Sequence, residues 1–404
     1  MEVIMDSGDI PRLKIVEPIP AADCLRFALI ERLRGIYHHR RRAAYRRRLQ
    51  DFHLPRATGE PRPNFGWLSD PERPAETRIG GGVKLDHLRD EFGEHRADFS
   101  ILYLVSSILH LISYPAELIS WARNSGVPVV WNQNGVAYPS WCGARYPWFN
   151  APMREFIHKA DYVFYQSEFC RASADRYLGR ISAPYEILWN PVDLEHFSPP
   201  RDGVTGSAND DWRLLAMGTN HSFYRVRSAL DTLAALRSRG RGAHLTISGE
   251  LRWRGASEQV AEYLRARHLE PHVTLRPRFS QSEAPDIYRF ADVLLHPKYK
   301  DPCPTVPIEA MACGLPVVGS RSGGMVELVP TSAGRLIDVC DDWTDDHAID
   351  PTEMADAVES IMGRHPEFSR SARLHAVSCF DKSKWVARHR EVFTDLLDRP
   401  ERVS

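Results

Sequence analysis

Short apolar runs alternate with amphipathic stretches along most of this 404-residue chain, and that alternation constrains its fold more than any other feature. SILYLVSSIL at 100–109, VPVVW at 127–131, YVFYQS at 162–167, WRLLAMG at 212–218, HLTISG at 244–249, HVTLRP at 272–277 and DVLLHP at 292–297 are apolar and bounded by turn residues. Their β-branched and aromatic content predicts buried strands rather than helix fragments. Stretches such as SALDTLAALRSRG at 228–240 carry helical periodicity between them. Strand and helix in alternation predict α/β architecture with parallel sheets. Around 198–211, SPPRDGVTGSANDD has the composition of an exposed linker. The expected domains are therefore 1–200 and 201–380, followed by a terminal helical segment at 381–404.

A chain of this length, 43% hydrophobic, can bury two ordinary cores. Its formal net charge of -1 gives no global reason to expect nucleic acid. Seven cysteines, at 24, 142, 170, 303, 313, 340 and 379, include no C-x-x-C pair. That spacing fits a reduced, cytoplasmic setting better than a disulfide framework. No apolar run has the length of a membrane span. MEVIMDSGDIPRLKI lacks a basic start followed by an apolar core, so no signal peptide is expected. In the run 31–50, eight arginines interleave with apolar residues. A basic helix of that kind can lie on anionic lipid as a peripheral membrane contact. The alternatives are a solvated helix or an intersubunit contact. No aromatic stacking platform accompanies the run, so nucleic acid is not expected there either.

The chemistry concentrates at 301–327, DPCPTVPIEAMACGLPVVGSRSGGMVE. Asp301 and Glu309 stand eight positions apart around a Pro-broken loop. A short apolar helix, a Gly-Leu-Pro stop, a Val-Val strand end and the Gly323-Gly324 turn follow. Free N–H groups at a helix start favour a diphosphate. A Gly-Gly turn lets backbone approach a ligand closely. Glu309 can accept hydrogen bonds from ribose hydroxyls, and Asp301 from a sugar hydroxyl. Elsewhere, Arg78 to Lys84 is a glycine-rich loop before a helical stretch, able to cradle phosphate or to be a surface turn. No His/Cys/Asp cluster has metal-ligand spacing, so no metal or other cofactor is expected. No nucleophile elbow is legible.

Glu309-Ala310-Met311-Ala312-Cys313-Gly314, Pro316-Val317-Val318, Gly323-Gly324 and Glu327 resemble the C-terminal signature of family 4 glycosyltransferases, which are retaining enzymes of the GT-B fold. Asp301 stands where the family has its first Glu, and Pro304 where a Gly is frequent. Asn190-Pro191-Val192-Asp193 and Phe197 fit the end of the family's N-terminal domain. The resemblance covers roughly residues 78–398. It implies two Rossmann-like domains facing across a cleft, with the last helix crossing back onto the first domain. It also implies transfer of a sugar from a nucleotide-sugar donor to a hydroxyl acceptor.

The resemblance places Gly80, Gly81 and Gly82 facing the cleft. The strand feeding them is Phe65-Gly66-Trp67-Leu68 or, alternatively, Leu13-Lys14-Ile15-Val16. Asn134 falls where many relatives have a His that reaches toward the sugar, although Asn134-Gly135 alone reads as a turn. Asn keeps a hydrogen-bonding side chain but carries no proton near neutral pH. Gly218 ends the first strand of the second domain. Thr219 replaces an Arg there, and Arg225 falls at the position of a diphosphate-binding Lys, with Arg227 a substitute for the missing charge. Arg278 falls beside the base. The loop Cys303, Pro304 and Thr305 falls beside the sugar. Gly249 and Glu250 are weaker candidates, and His296 reads as a satisfied core or cleft residue. Asn134, Asp301 and Arg225 are thus expected at the reacting centre. A same-fold nucleotide-sugar epimerase and an inactive nucleotide-sugar-binding scaffold are the competing readings.

Overall fold

A computed structural model describes residues 60–65, 81–95, 98–107, 115–200, 211–276 and 279–399, together with Arg47 and Leu49. Met1–Phe52 and His53–Ser404 form two compact units. Of the first, only Arg47 and Leu49 are described, both helical, and Leu49 is buried. The expected membrane contact at 31–50 and the alternative first strand at 13–16 otherwise lie outside the described residues. Among the described residues no helix is long and apolar enough to cross a membrane.

The second unit is built on two parallel sheets. The first contains β1 Pro63–Asn64, β2 Ile101–Val105, β3 Val129–Gln133, β4 Tyr162–Tyr165 and β5 Tyr185–Ile187, side by side in chain order. β2, β3 and β4 are buried along their whole length, which is why they are continuous apolar runs in the sequence. The second contains β6 Trp212–Met217, β7 Ala243–Ser248, β8 Val273–Arg276, β9 Val293–His296, β10 Val317–Ser320 and β11 Gly334–Ile337. Its order is β11-β10-β9-β6-β7-β8. Counted within the sheet this is 3-2-1-4-5-6, the doubly wound Rossmann order. The seven strands expected from the apolar runs are all present, but β8, expected to be buried, is largely exposed at the sheet edge.

The first strand differs from expectation. Pro63–Asn64 pairs with Ile101–Leu102, two residues before Phe65. Phe65 is instead a buried ring against Tyr103, and 66–68 lie outside the described residues. β11 was not anticipated: Gly334–Ile337 is four residues long with an Arg inside, and only its register beside β10 makes it a strand.

Helices fill both faces of the second sheet. Phe223–Ser238 places Leu230, Leu233 and Leu236 against Leu245 and Ile247 on one face. Thr305–Ala312 and His365–Cys379 cover the other through Ile308, Met311 and Ala372. The last helix, Lys382–Leu397, begins where Asp381 accepts from the Ser383 N–H at 2.8 Å. It then packs Trp385, Val392, Phe393 and Leu396 against Phe92, Tyr103 and Phe164 of the first sheet's core. The chain thus returns to the N-terminal half, as the resemblance implied.

Candidate active site

In a doubly wound sheet, the chain leaves neighbouring strands in opposite directions at the point where the order reverses. That divergence opens a crevice at the carboxyl ends of the strands. Here the reversal falls between β6 and β9. Gly218 follows β6, and the segment Pro297–Thr305 follows β9. Arg225 stands in the first turn of Phe223–Ser238, half-buried, with its guanidinium 5.7 Å from the Tyr224 ring. Among the described residues it makes no close ion pair, although its charge acts on the carboxyl of Asp346. Lys298, which sequence reasoning passed over, stands at the end of β9. Burial lowers the pKa of His221, and the charges of Arg225, Lys298 and Arg252 lower it further. The crevice thus gathers Arg225, Lys298 and Arg252 opposite the carboxylates of Asp301 and Asp346, and cations are what an anionic diphosphate requires. Arg227 does not join it. It is exposed two residues on, and its charge is felt at Tyr263, on another side of the helix.

Asp301 is buried beside this crevice. Its carboxylate lies 2.8 Å from Lys298 Nζ and 3.0 Å from His296 Nε2. Burial by itself would raise its pKa, but Lys298 and His296 outweigh that and hold it well below the usual carboxylate range. Asp301 is thus an ionised strut that anchors Lys298. His296 is the satisfied cleft residue expected from the sequence.

The loop Cys303–Thr305 leads into the helix Thr305–Ala312. Pro304 occupies the N-cap without a side-chain cap, and Pro307 follows in the first turn. Neither proline has an N–H, so Thr305 and Val306 supply the free donors. Cys303 is buried, and burial pushes its thiol well above its ordinary range. One turn into the helix, Glu309 accepts from Tyr288 Oη at 2.8 Å and Gln281 Nε2 at 3.3 Å. Burial pushes its carboxyl up to about 7, against the pull of those two donors. Its side chain keeps partial surface exposure although protein atoms enclose the carboxyl. The Gly323-Gly324 turn fits because no side chain could: a Cβ on Gly323 would sit 2.5 Å from Asp301 O, and one on Gly324 2.0 Å from Pro302 O. Gly323 also has φ +61°. This turn therefore packs against the 301–302 backbone, with the Gly324 N–H donating to Asp301 O at 2.8 Å.

The opposite wall comes from the N-terminal half. Gly81 and Gly82 open the helix Gly81–Phe92; Gly80 and Arg278 lie outside the described residues. Asn134 follows β3, its N–H donating to Ser106 Oγ and its Nδ2 to Ser107 Oγ, both at 2.9 Å. Its Oδ1 accepts from Lys84 Nζ at 3.2 Å. Behind it runs a buried polar chain whose directions can be assigned. His389 donates from Nδ1 to Trp385 O, so its Nε2 accepts from Tyr103 Oη at 3.0 Å. Asn132 Nδ2 donates to Tyr103 Oη at 3.0 Å, and Lys84 donates to Asn132 Oδ1. Burial drives His389 down to about 3, which keeps it neutral as this assignment requires. Nothing in sequence spacing pointed to Lys84, Tyr103 or His389, since the last two are 286 residues apart.

Backbone and aromatic contacts clasp the two walls. Ser167 donates to Pro302 O at 2.7 Å, Asn190 to Cys303 O at 2.8 Å and Tyr138 to Lys300 O at 3.0 Å. Glu327, the last acid of the motif, accepts from the Glu168 and Phe169 N–H groups at 2.7 and 2.9 Å. A carboxylate there satisfies the start of the helix Glu168–Tyr177 and its dipole. Trp343, on the segment after β11, stacks on Phe169 at 5.4 Å with planes 2° apart, and Lys300 Nζ lies 4.2 Å from its ring centre. Ser140 N–H donates to Trp343 O at 2.9 Å.

Two Rossmann-like sheets clasped around a cationic crevice, with a returning last helix, define the GT-B architecture. Comparison with known proteins places the chain further. Residues 212–364 match the family Glycosyl transferases group 1. A D-inositol 3-phosphate glycosyltransferase from Mycolicibacterium smegmatis is 32% identical over 204 residues, 47% of this chain and 43% of that protein. One from Arthrobacter sp. is 30% identical over 195 residues, 46% of this chain and 44% of that protein. The chain thus matches less than half the length of these relatives. In fold it is similar to a sucrose-phosphate synthase from Thermosynechococcus elongatus (TM-score 0.59, 17% identity, 77% of this chain and 76% of that one). It is equally similar to Anabaena HepE in complex with UDP-glucose (TM-score 0.59, 15% identity, 78% and 81%).

Proposed function

We propose that the protein is a retaining, metal-independent glycosyltransferase of family 4 type that moves a sugar from a nucleoside-diphosphate sugar to a hydroxyl acceptor. The observation that carries this reading is the placement of Arg225 and Lys298 at the switch point of the second sheet, beside the Thr305–Ala312 helix and Glu309. The diphosphate would lie against Arg225, Lys298 and the free N–H groups of Thr305 and Val306. The ribose would lie at Glu309, and the sugar between Asp301, the 303–305 loop and Asn134. Two fixed cations and a helix start supply the charge that a divalent cation would otherwise bring.

The reaction needs one bond made and one broken. The acceptor oxygen bonds to the anomeric carbon as the bond from that carbon to the phosphate oxygen breaks. The acceptor proton passes to the departing phosphate. A front-face displacement keeps the anomeric configuration and needs no protein nucleophile. The site is consistent with that route, because Asp301 is held by Lys298 and His296. The enzyme's task is then to align the acceptor and stabilise the leaving diphosphate.

The test is a thermal-shift series with UDP-, GDP-, ADP- and dTDP-sugars in the presence of EDTA, UDP-glucose first. One nucleotide series should raise Tm by linkage, and product NMR should give the anomer of the donor. An inverted product would remove the retaining mechanism. Absence of any shift would remove the donor site itself.

A further inference from the structure

The N-terminal wall holds a buried cation that the donor site does not use. Lys84 rises from the first turn of the Gly81–Phe92 helix and is 5% exposed. Its partners, Asn132 Oδ1 and Asn134 Oδ1, are neutral amides. The other groups that act on its charge, Cys303 and Cys170, are thiols that burial keeps protonated. Among the described residues no carboxylate pairs with it. A buried ammonium with only neutral partners is costly unless a ligand supplies the counter-charge. It has three donors, and two are taken.

The surroundings fix this arrangement. Asn132 cannot turn its oxygen away, because its amide nitrogen is committed to Tyr103 and Gln166 Nε2 also donates to the same oxygen at 3.3 Å. Lys84 lies at the carboxyl end of β3, where ligands of parallel sheets bind. Asn134 beside it is partly exposed, and Cys303 across from it belongs to the loop that faces the donor sugar. The diphosphate already has its own cations, Arg225 and Lys298, on the other half.

We propose that Lys84 is the specificity-determining residue of the acceptor side and binds a phosphate or carboxylate group carried by the acceptor. This rests on the glycosyltransferase reading, since it assigns the acceptor's chemical class. Asn132 and Asn134 position the amine, and the ligand's anion completes its coordination.

Inorganic phosphate is the probe. Wild-type protein is saturated with whichever of UDP, GDP, ADP or dTDP stabilises it most, which fills the diphosphate site. Phosphate is then titrated at constant ionic strength and Tm is followed. The wild type should rise with phosphate, and Lys84→Met should lose that rise while keeping the full nucleotide shift. General salting effects of phosphate act on both proteins and cancel in the difference. In turnover, glucose 6-phosphate or glucuronate should outperform glucose by roughly ten- to a hundredfold in kcat/KM with wild type, and Lys84→Met should erase the preference. A phosphate rise that survives Lys84→Met, or no rise in the wild type, overturns the proposal. So does a variant that loses the nucleotide shift instead, which would assign Lys84 to the donor's diphosphate. If no nucleotide stabilises the wild type, the donor reading fails. The wild-type minus Lys84→Met difference in nucleotide-free protein still decides the role of Lys84. Lys84→Gln, which keeps a hydrogen-bond donor, replaces the Met variant should the latter not fold.

Discussion

The C-terminal half owes its crevice to strand order, whereas the N-terminal half owes its polar wall to side chains. In the second sheet the order 3-2-1-4-5-6 opens a gap between β6 and β9 whatever residues follow those strands. The first sheet runs β1 to β5 without reversal, so topology opens no gap among its described strands. Lys84, Asn132 and Asn134 make the site there. The two halves also treat charge differently. Asp301 offsets Lys298 by direct ion pairing, while Lys84 has only amides. Each half nevertheless holds one ionisable group near neutrality. Burial raises Glu309 from 4.5 to about 7 and lowers Lys84 from 10.5 to about 7.

The largest effect should come from the crevice. Arg225→Ala is expected to lower kcat/KM for transfer by on the order of a hundredfold or more, because Lys298, the other cation proposed at the diphosphate, is already paired with Asp301. Steady-state assays with the donor identified by thermal shift check this. A loss under threefold would mean that Lys298 alone carries the diphosphate. Next is the clasp. Trp343→Ala removes a stacked ring and a cation–π partner and should destabilise the fold by about 2 kcal/mol in urea melts. Unchanged stability would mean the contact does not hold the halves together.

These two groups give a sharper comparison, because their linkages have opposite sign. Glu309 binds its proton more tightly folded than unfolded. Its contribution to stability is therefore full below about pH 4.5 and lost as pH rises toward about 7. Lys84 binds its proton less tightly folded. Its cost is greatest below about pH 7 and is relieved as pH rises toward 10.5. Glu309→Gln should flatten the pH dependence of stability only in the lower window, and Lys84→Met only in the upper one. Denaturant midpoints across both windows read this, and a variant acting in the wrong window contradicts the assigned direction. Glu327→Gln should cost about 1 kcal/mol, the value of a charged helix cap. The smallest effect belongs to Arg227→Ala, which should change kcat/KM by less than about twofold, because the residue points away from the crevice. A tenfold loss there would return it to the diphosphate site.

Much of this molecule was legible in the sequence because its signals are local. Buried parallel strands have to be continuous apolar runs, which made most of the seven visible; β8, largely exposed, showed through its Val-Thr-Leu content instead. Gly323 and Gly324 were legible as a close-approach turn toward a ligand; in the structure what they approach is the 301–302 backbone. Arg225 was placed by the resemblance, which puts it where relatives have a diphosphate-binding Lys. What escaped was long-range or weakly patterned. β11 is too short and polar to stand out from loop. Arg227 looked equivalent to Arg225, since spacing along a chain does not reveal which way a helix faces. Lys298 was overlooked because its value comes from Asp301 and from the meeting of β6 and β9. Glu327 read as part of a motif, while its partners lie near residue 168.

The sequence by itself determined the layering and the alternation that makes both sheets parallel, and its segment 301–327 carries the resemblance behind the proposed donor site. These follow from periodicity and turn chemistry, which act over a few residues. Tertiary structure decided the rest. It turned Asp301 into an anchor for Lys298, linked Lys84 through Asn132 and Tyr103 to His389 of the last helix, and pushed Glu309 and Lys84 to the same pH from opposite sides. Those outcomes depend on burial and on partners brought from distant parts of the chain, and both exist only once the two halves have closed on each other.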